Sequence, residues 1–345
     1  MCGIAGFVND MPIDVKCPTL QRMTDIIAHR GPDSEGHYID EHVALGHRRL
    51  SIIDLGGGQQ PIYNEDGSLV ITFNGEIYNY QPLRDELIAA GHAFTTKSDT
   101  EVLLHGYEQW GVDLLQRVRG MFTFVIWDKN RRELFGARDH FGIKPFYYAK
   151  MNGTFMYASE IKSLLQHPDF VKELNAEALK PYMTFQYPAI GETFFKGVYK
   201  LPEGHYFVYR DGEMSIHRYY DENFRESDQK LGELVNTIDD TVCGSVKAHQ
   251  IADVEVGSFL SSGVDSSYVA AVARPEHTYS IGFGKGTYNE SQQAGELAEL
   301  LKLNNTAEAL TDEEAFAAFP RIQWHLDEPD SNPSCVPLYF LSALA

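Results

Sequence analysis

The chain has 345 residues, which is more than one ordinary domain requires, so we expect two domains. Its formal net charge of −20 argues against nucleic acid and against an anionic membrane surface as partners. No apolar run approaches the roughly 20 residues of a membrane span, and the N-terminus lacks the pattern of a signal peptide, so we expect a cytoplasmic protein.

The cysteines are Cys2, Cys17, Cys243 and Cys335, and none forms a CxxC pair. The thirteen histidines show no metal-ligand spacing beside them. The sequence therefore predicts neither a disulfide framework nor a structural zinc site.

Apolar periodicity predicts a strand-rich first domain with a few helices, over residues 2–218. Ser98 and Glu101 have the spacing of a capping box at the start of one helix. The predicted strands are 4–8, 69–73, 121–128, 133–137, 145–149 and 155–158, and the predicted helices lie within 20–27, 83–91 and 98–111. We expect sheets covered by helices.

The second half has a different pattern. Residues 219–230 are polar and charged, and we interpret them as a linker to a domain over 231–345. Strands are predicted at 254–260 and 278–283, with helical segments before and between them. This alternation predicts a parallel sheet.

Cys2 follows the initiator Met1 directly. Removal of Met1 would leave a cysteine with a free α-amine, which titrates near pH 8 and can accept the thiol proton. Nucleophile and base would then lie on one residue. Taken by itself, however, a cysteine at position two is better explained as incidental.

Cys2 is followed by four further motifs in a fixed order. The five motifs are Cys2-Gly3-Ile4-Ala5-Gly6, His29-Arg30-Gly31-Pro32-Asp33, His47-Arg48-Arg49-Leu50-Ser51-Ile52-Ile53-Asp54, Phe73-Asn74-Gly75-Glu76-Ile77-Tyr78-Asn79 and Arg138-Asp139-His140-Phe141-Gly142-Ile143-Lys144-Pro145. With them, residues 2–220 resemble the class II glutamine amidotransferases, which are N-terminal nucleophile hydrolases.

The resemblance implies an αββα sandwich in which Cys2 attacks the side-chain amide of glutamine to form a thioester. Asn74 and the amide of Gly75 match the oxyanion hole of the family. The pair Asn74-Gly75 is also a strong signal for a hairpin turn.

Arg49 matches the residue that binds the glutamine α-carboxylate, for which a guanidinium is suited. Glu76 and Asp99 match the groups that bind the α-ammonium, although Asp99 also favours a helix start. Arg48 is interpreted as a surface residue. The glutamine-binding positions implied are Arg49, Leu50, Ser51, Ile52, Ile53, Asn74, Gly75, Glu76 and Asp99, while His29, Arg30, Asp139, Gly142 and Lys144 are interpreted as structural.

A loop of small residues, 261–267, joins a predicted strand to a predicted helix, and its amides would suit an anion. It has no lysine, so it is not a Walker A loop, and an ordinary Ser/Gly turn is the alternative. The loop resembles that of the ATP pyrophosphatases, with Ser262 where the family usually has glycine. The resemblance implies ATP binding, with Mg²⁺ held by Asp265. The matching residues are Leu260, Ser261, Ser262, Gly263, Asp265, Ser266 and Ile281.

Together the two halves resemble the glutamine-hydrolysing asparagine synthetases. This implies glutamine, aspartate and ATP as substrates, with ammonia from glutamine displacing AMP from adenylated aspartate. Members of the family continue with a second acidic ATP-site segment, so we expect the synthetase domain to be incomplete and the chain to act as a glutaminase alone. A different acceptor, or a non-catalytic or regulatory fragment, stays open. The sequence also leaves the oligomeric state open, a homodimer included.

Overall fold

A computed structural model describes residues 1–283 and 290–345 of the chain. Contacts between residues divide it into two compact units, Met1–Phe224 and Arg225–Ala345. Each unit is described by itself.

In the first unit, all of which is described, twelve strands form two antiparallel sheets. The strands are β1 (Gly3–Val8), β2 (Ser34–Ile39), β3 (Val43–Arg49), β4 (Ile62–Tyr63), β5 (Leu69–Ile77), β6 (Gly120–Asp128), β7 (Glu133–Arg138), β8 (Tyr147–Met151), β9 (Thr154–Ala158), β10 (Val198–Lys200), β11 (His205–Arg210) and β12 (Glu213–Arg218). The first sheet has the order β10-β8-β9-β1-β3-β2, and the second has the order β12-β11-β7-β6-β5-β4.

Helices cover the outer faces of these two sheets. The α-helices of the first unit are α1 (Ile13–Asp25), α2 (Tyr80–Ala89), α3 (Asp99–Trp110), α4 (Ile161–Leu164) and α5 (Leu179–Phe185). Helices α1 and α4 pack on the first sheet, and α2 and α3 pack on the second.

The alternation of side chains along each strand explains the layers. In β1, Ile4 points to the core between the sheets, whereas Phe7 packs with α1 on the other face. In β6, Val125 faces the first sheet, and its neighbour Phe124 faces α3. A strand with apolar residues on both faces is buried on both sides. The predicted αββα sandwich is therefore confirmed.

Strands β5 and β6 approach closely at two glycines. A Cβ atom on Gly75 would lie 2.2 Å from the carbonyl oxygen of Met121, and a Cβ atom on Gly120 would lie 2.2 Å from that of Glu76. Neither distance is tolerated without movement of the backbone. These glycines let β5, which carries Asn74, pair with β6 over its full length.

The start of α3 differs from the prediction. The hydroxyl of Ser98 accepts a hydrogen bond from the amide of Thr100 rather than that of Glu101. The carboxylate of Glu101 accepts from the amides of Thr95 and Thr96, at 2.7 Å each, instead of reaching back to Ser98. The capping-box prediction is wrong because two nearer amides compete for the Glu101 carboxylate.

Among the described residues of the second unit, three parallel strands form one sheet in the order β13-β14-β15. The elements are α6 (Leu231–Ala248), β13 (Ser258–Phe259), α7 (Val264–Ala273), β14 (His277–Phe283), α8 (Glu290–Leu301), β15 (Asn304–Leu310), α9 (Asp312–Leu326) and α10 (Cys335–Leu344). The predicted parallel sheet is confirmed, but the strand predicted at 254–260 is shorter.

No helix within residues 1–283 or 290–345 combines the length and the apolar character that a membrane crossing requires.

We expect Gly120→Ala to lower the free energy of unfolding by about 1–3 kcal/mol, because the new methyl group overpacks the contact with β5. Urea unfolding would measure the change. Gly56→Ala is the matched control, since a Cβ atom there meets nothing within 4 Å. Equal stability of the two variants would contradict this explanation of the close approach.

Candidate active site

A cavity of about 80 Å³ opens where β1, β3, β5 and the start of α3 come together. Positively charged, negatively charged and apolar side chains all line it. The residues that line it are Met1, Cys2, Arg49, Leu50, Ile52, Ile53, Gly58, Gln60, Phe73, Asn74, Gly75, Glu76, Ser98, Asp99, Thr100, Met121 and Lys144. Met1 is one of these residues, so its removal would enlarge the cavity.

Cys2 lies immediately before β1, and its thiol faces the end of β3. The Sγ atom accepts a hydrogen bond from the Leu50 amide at 3.4 Å and lies 3.5 Å from the Leu50 carbonyl oxygen. Burial raises the pKa of the Cys2 thiol, against the opposing effects of the Leu50 backbone, the terminal amine and Arg49. The group is therefore a buried thiol that requires a base to become a nucleophile.

Arg30 fixes the backbone of Cys2. Its Nε donates to the Cys2 carbonyl oxygen at 2.9 Å, and its Nη1 donates to the Glu160 carboxylate, also at 2.9 Å. His29 lies 3.0 Å from the same carboxylate oxygen. These contacts agree with the interpretation of His29 and Arg30 as residues that shape the site.

Asn74 has an unusual environment for a buried amide. Its side chain is 1% exposed and lines the cavity, and neither its nitrogen nor its oxygen has a hydrogen-bond partner among the described residues. Leaving such a group unpaired costs about 1–3 kcal/mol, so buried amides are normally paired. The Asn74 amide is therefore available to bind a ligand.

The hairpin-turn alternative for Asn74-Gly75 is wrong. Both residues lie inside β5, where Asn74 pairs with Thr123 and Gly75 pairs with Phe122 of β6. The glycine is required by the close approach of β6, not by a turn.

Arg49 ends β3 and is 4% exposed. Its guanidinium donates to the carbonyl oxygens of Ile53 and Asp54, at 3.1 and 2.7 Å, which holds it against the cavity. By contrast, Arg48 forms ion pairs with Asp25 and Glu35 outside the cavity.

Two carboxylates face the same cavity. The Asp99 carboxylate accepts a hydrogen bond from the Ile77 amide at 2.9 Å. Burial, together with repulsion from Glu76, raises the pKa of Asp99 to about 7. A cationic group bound here would relieve this repulsion and favour the charged form of Asp99.

The cavity thus combines a thiol, a guanidinium, two carboxylates and an unpaired amide. Of the predicted catalytic and glutamine-binding residues, all line it except Ser51, whose amide donates to the Asp33 carboxylate at 2.7 Å. The arrangement suits a small ligand that carries both a positive and a negative charge.

Sequence reasoning missed Lys144 and Gln60 as cavity residues. Lys144 is 3% exposed, and its Nζ lies 2.9 Å from the Sδ of Met1. Asp139 accepts hydrogen bonds from the amides of Ile143 and Lys144, at 2.9 and 3.0 Å, and so folds the loop inward. The motif 138–145 was the available signal for Lys144. Gln60 bridges Phe73 to α3 and follows no predicted motif.

The predicted ATP loop lies in the second unit, between β13 and α7. Gly263 precedes the helix, Ser262 and Asp265 are exposed, and the Ser261 hydroxyl lies 2.8 Å from that of Ser266. Leu260 is buried with Ala270 and its neighbours. The substitution of glycine by Ser262 requires no left-handed backbone here.

Ile281 lies in β14, opposite Glu308 of β15, and is half-buried. The structure therefore places Ile281 in β14, Leu260 directly after β13, and the remaining predicted ATP residues on the loop and the first turn of α7.

Residues 1–220 match the family model described as a glutamine amidotransferase domain. The chain belongs to this family. Residues 237–345 match a second family model, described as asparagine synthase. The amidotransferase family thus accounts for the unit that contains the cavity.

Curated relatives extend the similarity over both units. The chain is 42% identical to asparagine synthetase [glutamine-hydrolyzing] 1 of Bacillus subtilis (strain 168), over 99% of this chain and 55% of that protein. It is 36% identical to asparagine synthetase [glutamine-hydrolyzing] 3 of the same organism, over 82% of this chain and 48% of that protein. The predicted resemblance is confirmed, and the chain spans about half the length of these relatives.

Among solved structures, the chain is similar to the glutamine phosphoribosylpyrophosphate amidotransferase from B. subtilis complexed with ADP and GMP. The TM-score is 0.47 at 16% identity, over 89% of this chain and 65% of that chain.

Asp99 leads to a prediction about stability and pH. An aspartate in an unfolded chain titrates near pH 4, whereas burial raises the pKa of Asp99 in the folded chain to about 7. Between these values the folded chain holds a proton that the unfolded chain has lost, so Asp99 makes the folded chain less stable as the pH rises from about 4 to about 7.

The parent chain should therefore lose stability between pH 5 and pH 8, whereas Asp99→Asn should not lose this contribution. We expect the difference in the free energy of unfolding, variant minus parent, to rise by about 2–3 kcal/mol over this range. Urea unfolding at the two pH values would measure it. Asp113→Asn, at an exposed aspartate, is the control and should show no such rise. The same pH dependence for both variants would contradict the buried-carboxyl explanation.

Proposed function

We propose that the first unit hydrolyses glutamine to glutamate and ammonia with Cys2 as the nucleophile. The observation that carries the proposal is the buried Asn74 amide, which has no partner among the described residues and shares one cavity with the Cys2 thiol. A donor held without a partner beside a nucleophile is what an acyl-transfer site requires for the charge that develops on the substrate oxygen.

The substrate would bind through its α-amino acid group. Arg49 would bind the α-carboxylate, and Glu76 and Asp99 would bind the α-ammonium. The pKa of Asp99 is raised to about 7. A cation bound beside it would lower this pKa and favour the ionised carboxylate. The amide of the substrate side chain then points towards Cys2 and Asn74.

In the proposed reaction, Met1 is first removed, and the new α-amine of Cys2 takes the thiol proton. Sulfur attacks the side-chain carbonyl carbon, and the oxyanion is bound by Asn74 and the amide of Gly75. The C–N bond breaks as the ammonium returns its proton to the leaving group, which departs as ammonia. Water then hydrolyses the thioester to glutamate and regenerates the thiol.

The pocket favours an amine that is neutral at pH 7. Burial is the main cause that lowers the pKa of the Met1 α-amine to about 6. An amine in this environment is deprotonated at neutral pH and is competent as a base.

For the whole protein we propose that the ammonia serves glutamine-dependent synthesis of asparagine from aspartate and ATP. The names of the relatives and the match of 237–345 to asparagine synthase support this. The loop 261–267 would bind the ATP phosphates through its amides and the start of α7, with Asp265 as a ligand of Mg²⁺. ATP and Mg²⁺ would both bind in the second unit. The polar side chains of this loop are exposed or hydrogen-bonded to one another.

The domain bounds proposed with this function are 2–218 for the glutaminase, 219–230 for the linker and 231–345 for the synthetase part. A homodimer is proposed as the assembly to test, and sedimentation of the purified chain would decide it.

The proposed glutaminase is tested by intact mass and by release of glutamate and ammonia from glutamine on the same sample. We expect a chain that begins at Cys2, active on glutamine, with Cys2→Ala inactive and Cys17→Ala, at an exposed cysteine, fully active. A processed chain that releases no glutamate, or an active Cys2→Ala variant, would sink the proposal. Asparagine formed after addition of aspartate, ATP and Mg²⁺ would contradict the expectation that the chain acts as a glutaminase alone.

Asn74→Ala should lower kcat for glutamine hydrolysis by about 10²–10³-fold, the usual loss for one oxyanion donor. KM should change little, because Asn74 acts on charge that develops only in the transition state. Steady-state kinetics would separate the two parameters. Asn130→Ala, at an exposed turn, is the control. A variant affected only in KM would instead indicate that Asn74 binds the ground state.

A further inference from the structure

A second cluster of polar side chains lies in the first unit, away from the cavity residues. Glu65 follows β4, His92 follows α2, and His105 and Glu108 lie one turn apart on α3. Three separate segments of the chain thus bring two imidazoles and two carboxylates together.

Four nitrogen–oxygen distances within this cluster are close to those of a tetrahedral site, and all the ligand atoms lie within 4.8 Å of one another. Nδ1 of His92 lies 3.4 Å from a carboxylate oxygen of Glu65 and 3.7 Å from one of Glu108. Nδ1 of His105 lies 3.4 and 3.7 Å from oxygens of the same two residues. Ligand atoms bound to a tetrahedral zinc ion at about 2.0–2.1 Å lie about 3.3–3.4 Å apart.

His105 provides an independent observation. Its side chain is fully buried, and neither ring nitrogen has a hydrogen-bond partner among the described residues. Buried polar side chains normally have one. The missing partner lies in the direction of the Glu65 and Glu108 carboxylates, which Nδ1 faces.

The remaining nitrogens are positioned as in known metal sites. Nε2 of His92 lies 3.1 Å from the amide oxygen of Gln109, and Nε2 of His105 lies 3.5 Å from a carboxylate oxygen of Glu101. An oxygen behind each ring favours a proton on Nε2, which leaves Nδ1 free to bind a metal. The carboxylates are also held, since Glu65 accepts from the amide of Ala93 at 2.8 Å.

We propose that Glu65, His92, His105 and Glu108 form a binding site for one Zn²⁺-type divalent ion. Imidazole nitrogens with carboxylate oxygens suit zinc and its neighbours, whereas Mg²⁺ and Ca²⁺ prefer oxygen ligands alone. The ion would connect the turn after β4 and the segment after α2 to α3. Its role would be structural, since none of its ligands lines the cavity of Cys2.

The alternative is that the same side chains form ion pairs without a metal. The two explanations predict different responses to added Zn²⁺.

Bound metal is first removed from the full chain with a chelator. The chain is then titrated with ZnCl₂ by calorimetry, and its Tm is recorded with and without the ion. Co²⁺ replaces Zn²⁺ for visible spectroscopy, because thiolate ligands give a charge-transfer band that nitrogen and oxygen ligands do not.

We expect one Zn²⁺ per chain, a higher Tm on binding and a tetrahedral Co²⁺ spectrum without thiolate bands. His92→Gln and Glu108→Gln should each weaken binding by more than about tenfold and abolish the Tm rise. His42→Gln is the matched control, because His42 also lies near a carboxylate, that of Asp10, at 3.8 Å.

Two ligand variants are used so that misfolding of one does not prevent the test. Either variant is sufficient if it keeps the circular dichroism spectrum of the parent chain. Absence of Zn²⁺ binding by the parent chain would overturn the proposal. So would equal binding by His92→Gln and His42→Gln, or a Co²⁺ spectrum with thiolate bands, which would place the ion at a cysteine.

Discussion

The packing of the two sheets against each other positions the thiol and the unpaired amide of the cavity. The core between them holds Ile4 of β1 and Val70 of β5, so these two strands cannot slide independently. Cys2 lies two residues before Ile4, and Asn74 lies four residues after Val70. A shift of one residue in either strand would exchange the side chains of its two buried faces and disrupt the packing on both. Burial of hydrocarbon thus controls the distance between nucleophile and amide.

Within this frame, the polar groups of the cavity are costly to bury and are held by their neighbours. Arg49 is fixed by backbone carbonyls, and Arg30 is tied both to the Cys2 carbonyl and to Glu160. Asp99 accepts from the Ile77 amide and the Ser98 hydroxyl and has a raised pKa of about 7, and Asn74 has no partner among the described residues. Of the cavity residues, Asn74 is thus the one whose buried side chain has no partner among the described residues. An unpaired amide of this kind is expected where a ligand supplies the remaining interactions.

Much of the site could be predicted from sequence because its residues occur in short ordered motifs. The five motifs contain Cys2, Arg49 and Asn74, whereas Asp99 is indicated only by its match to a family position. The layered fold follows from strands that are apolar on both faces. Lys144 was interpreted as structural alone, because its entry into the cavity depends on how Asp139 gathers the amides of its loop.

Other predictions failed because competing partners are visible only in three dimensions. Ser98 and Glu101 have the spacing of a capping box, but the Glu101 carboxylate accepts its hydrogen bonds from the amides of Thr95 and Thr96 instead. Short-range spacing could not indicate the Glu65, His92, His105 and Glu108 cluster either, because its members come from three segments that only the fold brings together.

The position of Met1 has a consequence for how the proposed site would be activated. Its amine is partly buried beside the cavity and its sulfur contacts Lys144, while the residue as a whole is 54% exposed. With Met1 in place, the nitrogen of Cys2 belongs to a peptide bond and cannot accept a proton. The proposed removal of Met1 would therefore supply the base and open space beside the thiol in one step.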